Sequence, residues 1–391
     1  MRDLIVLALI TLAAAGCFDG NSDEVGSQSV LTTREGLLTV ELRIDGHEES
    51  LAPFGRSSDG AIAVADDGTI AIRQEQDQGI RFFGRDGESD GVFGREGQGP
   101  GEFVNPGRIG WRADSLWIYD VRLGRVTVLA PSRELARTIR VRGDVRPRPE
   151  DVGRIPRAGF SLVVGLRPND TFIRHALPFR EDIPEDFGGD NFFAISDSAG
   201  TVLQVLARLS TEGRYVVASG SSTSVPFANV PVHAVSSDGG SIGIAHVDLD
   251  EPEPMLTVHL VGAEGATLFK RRFPVETVPL TGGARDSVFN AVATRLNNQE
   301  LVDAVSARLD ATEVFPPLRQ MIVGRDGTVW IALAERDGTR PHLVLAADGE
   351  PLGRVELTGS SRIAEAEESR IWVIERDEYD VESLVRYRID W

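Results

Sequence analysis

Along the chain one pattern of apolar and polar positions recurs: an apolar strand, a tight turn often built on Asp-Gly, and a second strand that opens on apolar residues. Asp-Gly favours hairpins because the turn needs positive φ angles, which glycine adopts without strain. The clearest copies are DDGTIAIR from Asp66, ADSLWIYD from Ala113, RDGTVWIAL from Arg325 and ESRIWVIE from Glu368; NDTFIRH from Asn169 and DGGSIGIAH from Asp238 are weaker. Aligned on the first apolar residue of the second strand, Ile70, Leu116, Phe172, Ile242, Val329 and Ile371 stand in register, and Trp117, Trp330 and Trp372 share the next position. Repeats at steps of roughly 40 to 90 residues fit propeller blades carrying insertions.

The copy at Val329 continues through Pro341 to Ala346, a turn at Asp348-Gly349 and Leu352 to Leu357, which completes four strands. The last copy runs from Arg370 to Glu375 and Leu384 to Asp390, then the chain ends at Trp391 one strand short. LLTVELRI, Leu37 to Ile44, alternates apolar and polar as a half-buried strand does. Pairing it with the last blade would close the ring and remove exposed sheet edges. The predicted fold is all-β: a six-bladed propeller over residues 37–391, closed by its N-terminal strand, with a helical insertion at 276–317 between the fourth and fifth blades.

That insertion contains ARDSVFNAVATRLNNQELVDAVSARLDA, Ala284 to Ala311, where Val288, Val292 and Leu296, then Leu301, Val305 and Leu309, recur at helical spacing. Two short helices split near Asn297-Asn298 follow, either packed on the ring or lying as a lid over the channel mouth. Gly143 to Pro156, Leu177 to Gly189, Asp248 to Pro254 and Glu276 to Pro317 are the longest loops, and strand order puts all of them on one face of the ring. Long irregular loops are uncommon without a purpose, so this is the expected recognition face.

Between the first two blades, GREGQGPGEFVNPGRIGWRADSLWIYDVRLGRVTVL (Gly94 to Leu129) resembles the NHL repeat, with Gly97, Gly99, Gly101, Phe103, Pro106, Asp120, Arg125 and Val126 at the pattern's positions. It departs at Leu123-Gly124, where that family often carries Asn and His. The GQGPGEF stretch is also similar to six-bladed propeller lipoproteins of bacterial envelopes. The resemblance implies the fold but no single activity, since NHL-type propellers include protein-binding modules, nucleic-acid binders, lyases and lactonases.

Composition narrows the partners. With 41 Lys and Arg against 60 Asp and Glu, the net charge is -19, which repels nucleic acid and anionic lipid. The only cysteine, Cys17, leaves no internal disulfide. It ends an apolar run, Leu4 to Ala15, too short to span a bilayer and suited to a signal peptide. Ala14-Ala15-Gly16-Cys17 resembles a bacterial lipobox, so residues 1–17 are read as a lipoprotein signal, Cys17 as the lipidated residue and residues 18–36 as a flexible tether. The expected location is the cell envelope, with membrane contact through the lipid only.

Inner strands line a propeller's channel. Arg108, His233, Arg319 and Arg362 fall near equivalent inner-strand starts and form a candidate anion-binding collar, with His233 adding charge when protonated. His246, Asp248 and Asp250 alternate along one strand and are the weak metal candidates; no metal or other cofactor is expected. No nucleophile elbow, phosphate-binding loop or zincin motif is present. The leading reading is a monomeric binding or scaffolding module that takes a protein or a small anionic ligand through its long-loop face. The alternative is an enzyme of the propeller lyase or lactonase kind with a channel active site.

Overall fold

The computed structural model describes residues 24–25, 34–45, 60–218 and 221–391; Cys17 and the expected signal segment lie outside them. Six antiparallel four-stranded blades follow in chain order. Their inner strands are Ile62–Val64, Pro106–Arg112, Phe160–Leu166, Val232–Val235, Leu318–Val323 and Arg362–Ala366. The fourth strand of blade 6 is Leu37–Ile44, antiparallel to the C-terminal strand Glu382–Asp390 from Leu37 opposite Asp390 to Ile44 opposite Leu384. The two ends of the chain therefore meet in one sheet. The expected tether contributes a further element, since Glu24–Val25 adds a parallel strand beside Arg271 and Arg272 at the outer edge of blade 4.

The core explains why the sheets form a ring. Six apolar clusters each join two successive blades: Ile80 and Phe82 with Ile109 and Leu116, Trp117 and Tyr119 with Val163 and Phe172, Ile173 and Phe193 with Ile242. The series continues with Val258 and Leu260 against Met321 and Ile331, Trp330 and Val344 against Ile371 and Val373, and Trp372 and Ile374 against Ile70 and Ile72. The last of these joins blade 6 to blade 1. Because side chains alternate faces along a strand, each sheet presents apolar residues to both neighbours. The repeated tryptophans serve this packing, each wedged against the following blade with 0% to 4% of its surface exposed.

The NHL-like motif is a loop built around two side chains. Asp120, fully buried, accepts from the amides of Val104 (2.8 Å) and Asn105 (3.2 Å) with one oxygen and of Arg122 (3.0 Å) and Leu123 (2.8 Å) with the other. Arg125 donates to the carbonyls of Gln98 (2.9 Å), Gly99 (2.8 Å) and Glu102. Within that loop Gly101 has φ 76°, a left-handed conformation that favours glycine.

Two elements leave the ring. Helices α1 (Gly282–Ala293) and α2 (Gln299–Asp310) start at Thr281 and Asn298, whose side chains accept from the amides of Ala284 and Leu301. The predicted stripe Leu301, Val305 and Leu309 is buried against a hairpin, Tyr215–Ala218 with Ser221–Ser224, which the repeat pattern gives no sign of.

Candidate functional site

Strand order puts five long connections on one face. Four are those expected from sequence; the fifth, residues 210–231, carries the hairpin. Hairpin and helices share an apolar core in which Val216 and Val225 meet Leu301, Val305 and Leu309. Phe227 packs edge-on to Phe315 at 5.2 Å between that core and blade 4, beside a groove of about 550 Å³. No residue of either helix lines the channel cavity; the pair packs against the hairpin.

This face also gathers exposed apolar side chains. Val152, Phe160, Phe179, Tyr215, Val217 and Tyr379 are all solvent-exposed and all lie in or beside its loops. The other large exposed apolar residues, Leu37, Val40, Val92, Leu135, Leu203 and Leu268, stand on the fourth strands of their blades, with Leu37, Leu135, Leu203 and Leu268 at the ends nearer the short turns. Arginines accompany the aromatics: Arg154, Arg157 and Arg180 are exposed in the loops that carry Val152 and Phe179.

Beneath this face the inner strands enclose a cavity of about 300 Å³. Bonds across the channel tie its lower end. Ser237, in the first turn of blade 4, donates to Glu365 Oε1 of blade 6 at 2.5 Å, and Arg325 of blade 5 donates to the Val64 carbonyl of blade 1 at 2.8 Å and to Asp66. Higher up, Arg108 Nη2 of blade 2 reaches the Val235 carbonyl of blade 4 at 2.6 Å. Arg108 packs over Gly60, where a Cβ would collide with its side chain. Burial pushes the Glu365 carboxyl up to about 7, partly offset by the Ser237 hydrogen bond and the charges of Arg108 and Arg325.

On the wall between blades 3 and 4, His175 stacks on Phe193 at 4.7 Å (23° between planes), and His233 meets both rings edge-on at 4.8 Å and 5.3 Å. Burial, reinforced by His233 and Arg214, lowers His175 to about 3, so its ring is neutral at pH 7, and its buried Nε2 has no hydrogen-bond partner. Tyr119 lines the same cavity, its hydroxyl pKa raised by burial, as does Arg73, which donates to the Pro106 carbonyl at 3.0 Å and to Glu75 at 2.9 Å.

Of the four collar residues, Arg108 and His233 line the cavity. Arg319 and Arg362 do not: Arg319 is exposed, and Arg362 pairs with Glu382 at 2.8 Å. The inner strands of blades 2, 5 and 6 shift register at Pro106/Ile109, Leu318/Gln320 and Ile363/Glu365, and such irregularities re-aim side chains that strict alternation would place elsewhere. Of the weak metal candidates, His246 and Asp248 stand on the second strand of blade 4 and Asp250 in the loop after it, away from the cavity. There Asp248 Oδ1 caps the turn by accepting from the Asp250 amide at 3.0 Å, and His246 faces an outer cleft. Among the described residues no three His, Cys, Asp or Glu side chains gather as a metal site would need.

Sequence reasoning passed over Arg73, Tyr119, His175 and Glu365. The first three carried a signal: each lies three positions after its aligned residue, Ile70, Leu116 and Phe172. At the same place blades 4 to 6 carry Ala245, Ala332 and Ile374, none of which lines the cavity.

The sequence matches no family model and no curated protein. Among solved structures, the fold is similar to a member of the DUF4221 family from Bacteroides vulgatus, at 12% identity over 91% of this chain and 98% of that one, with TM-score 0.53. A putative exported protein from Bacteroides fragilis follows at 10% identity, 91% and 96% coverage and TM-score 0.48. A catalytically inactive virginiamycin B lyase from Staphylococcus aureus, with quinupristin, follows at 11%, 90% and 99%, and 0.40. At these identities the likeness is one of fold.

Proposed function

We propose that this propeller is a binding module of the bacterial envelope, held at the membrane through Cys17 and engaging a protein partner through its long-loop face. One observation carries the reading: away from the outermost strands, the large exposed apolar side chains all sit on that face, interleaved with arginines. Aromatic residues and arginine are the types enriched where proteins bind one another, and they dominate interface energetics. The net charge of -19 selects against nucleic acid as the partner.

Photo-crosslinking in cells tests this directly. A photoreactive residue at Phe160, Phe179 or Tyr215 should give one discrete protein adduct, and the same residue at the opposite turns, at Asp86 or Asp348, should not. The adduct formed from Phe160 should vanish when Phe179 is changed to Arg. Adducts from the turns alone, or none from any position, would overturn the proposal.

A further inference from the structure

We propose that the channel cavity is a separate binding site for a small organic carboxylate, its anionic end toward Arg108, Tyr119 and His175 and its apolar end against Ile62, Met321 and Ile322. The cavity has the size of a small-ligand pocket, and its makeup fits one: apolar walls with a few convergent polar groups.

One of those groups lacks a partner of its own. His175 Nε2 is buried with no hydrogen bond, and the Tyr119 side chain lines the same cavity. Buried polar groups are almost always satisfied, so an unpartnered ring nitrogen on the cavity wall points to a ligand that satisfies it.

The charge on the wall sets the ligand's sign. The wall carries two guanidiniums, Arg73, which is paired with Glu75 at 2.9 Å, and Arg108, beside the carboxyl of Glu365, so it is Arg108 that would meet an anionic group. The planar guanidinium fork matches a carboxylate. Glu365 also limits the charge the site can take, because a dianion would face a carboxyl on the cavity floor.

The repeat supplies the ligand's shape. The position three residues into the second strand is polar in blades 1 to 3, which brings Arg73, Tyr119 and His175 to the cavity together, while Met321, Ile322 and Val323 of blade 5 and Ala364 of blade 6 give it apolar wall. A molecule with one charged end and an apolar body fits that division. With the turn side tied by the Ser237–Glu365 and Arg325–Val64 bonds, the long-loop side is the route of access.

The test is calorimetric titration of the full mature protein with acetate, butyrate, benzoate and phenylacetate, each beside its amide, and with benzylamine as the cationic control. At least one carboxylate should bind about tenfold or more tightly than its amide and than benzylamine. Tyr119→Phe, which keeps the ring and removes only the hydroxyl, should weaken that carboxylate several-fold, and Arg108→Gln should weaken it further. Should Arg108→Gln fail to fold, Tyr119→Phe and His175→Phe decide the matter. Equal binding of amide and acid, preference for benzylamine, unchanged affinity in every folded variant, or no binding up to millimolar concentration would each overturn the proposal. None of these results alters where crosslinks form on the outer loops, so the two proposals stand or fall separately.

Discussion

Glu365 shows how one buried carboxyl records its environment. It is 7% exposed and packed between Ser237, Arg108, Arg325 and Glu367, and burial outweighs its favourable partners, so it holds its proton up to about 7 against an ordinary value of 4.5. The sign of the effect on stability follows from proton binding. Between those two values the folded state keeps a proton that the unfolded state releases, so rising pH favours unfolding there and has no further effect above about 7. The loss between pH 5 and pH 8 is on the order of 2 to 3 kcal/mol. Glu365→Gln keeps an oxygen for Ser237 and cannot ionise. Denaturant unfolding at both pH values should therefore show the wild type losing stability relative to the variant by about that amount, and parallel behaviour would show the carboxyl to be better solvated than its burial implies. Nothing in the sequence near Glu365 announces this. It sits in RIAEAEES beside two other glutamates, and only the register shift at Ile363/Glu365 and the turn of a blade two places round the ring give it a partner.

At the scale of elements the sequence was far more legible, for a physical reason. Strand alternation and Asp-Gly turns are local signals, and six copies of them specify six hairpins before any tertiary contact is considered. The helical insertion was readable on the same grounds, from Leu301, Val305 and Leu309 at a spacing of four. The hairpin Tyr215–Ala218 with Ser221–Ser224 was not, because its apolar side packs on a helix more than 80 residues later and its second strand is serine and threonine. The collar failed to predict four convergent side chains because register shifts in the inner strands are invisible to a period-two reading. Closure by Leu37–Ile44 belongs among the legible elements and makes a sharp prediction. That strand pairs along its length with Glu382–Asp390 and buries Ile44 against Ile62 and Leu384. Removing residues 1–33 should leave the melting temperature of the propeller within a few degrees of the full chain. Removing residues 1–46 strips blade 6 of its outer strand and opens the ring's closing sheet, which should lower the melting temperature by about 10 °C or more. Equal melting of the two truncations would mean that the strand rests on the ring without holding it shut.

For the molecule as a whole, charge and attachment have to be considered together. A chain of net charge -19 is repelled by anionic membrane surfaces, and among its described residues no helix is long and apolar enough to cross a bilayer. A lipid on Cys17 is one device that would hold such a chain at a membrane, and Ala14-Ala15-Gly16-Cys17 after a short apolar run supplies the sequence for it. A single acyl chain holds a protein only marginally, whereas two or more make the attachment stable, so lipidation at Cys17 should give all-or-none fractionation. Cys17→Ser should move the protein from the membrane pellet to the supernatant or leave it as an unprocessed precursor of higher mass. Raising the salt concentration should leave the wild type in the pellet, since no electrostatic attraction holds it there. If Cys17→Ser stays in the pellet at its mature size, or if salt alone releases the wild type, the anchor is not this cysteine. The long-loop face would then have to hold the protein at the envelope through its partner, and the same fractionation repeated with Phe179→Arg would show whether it does.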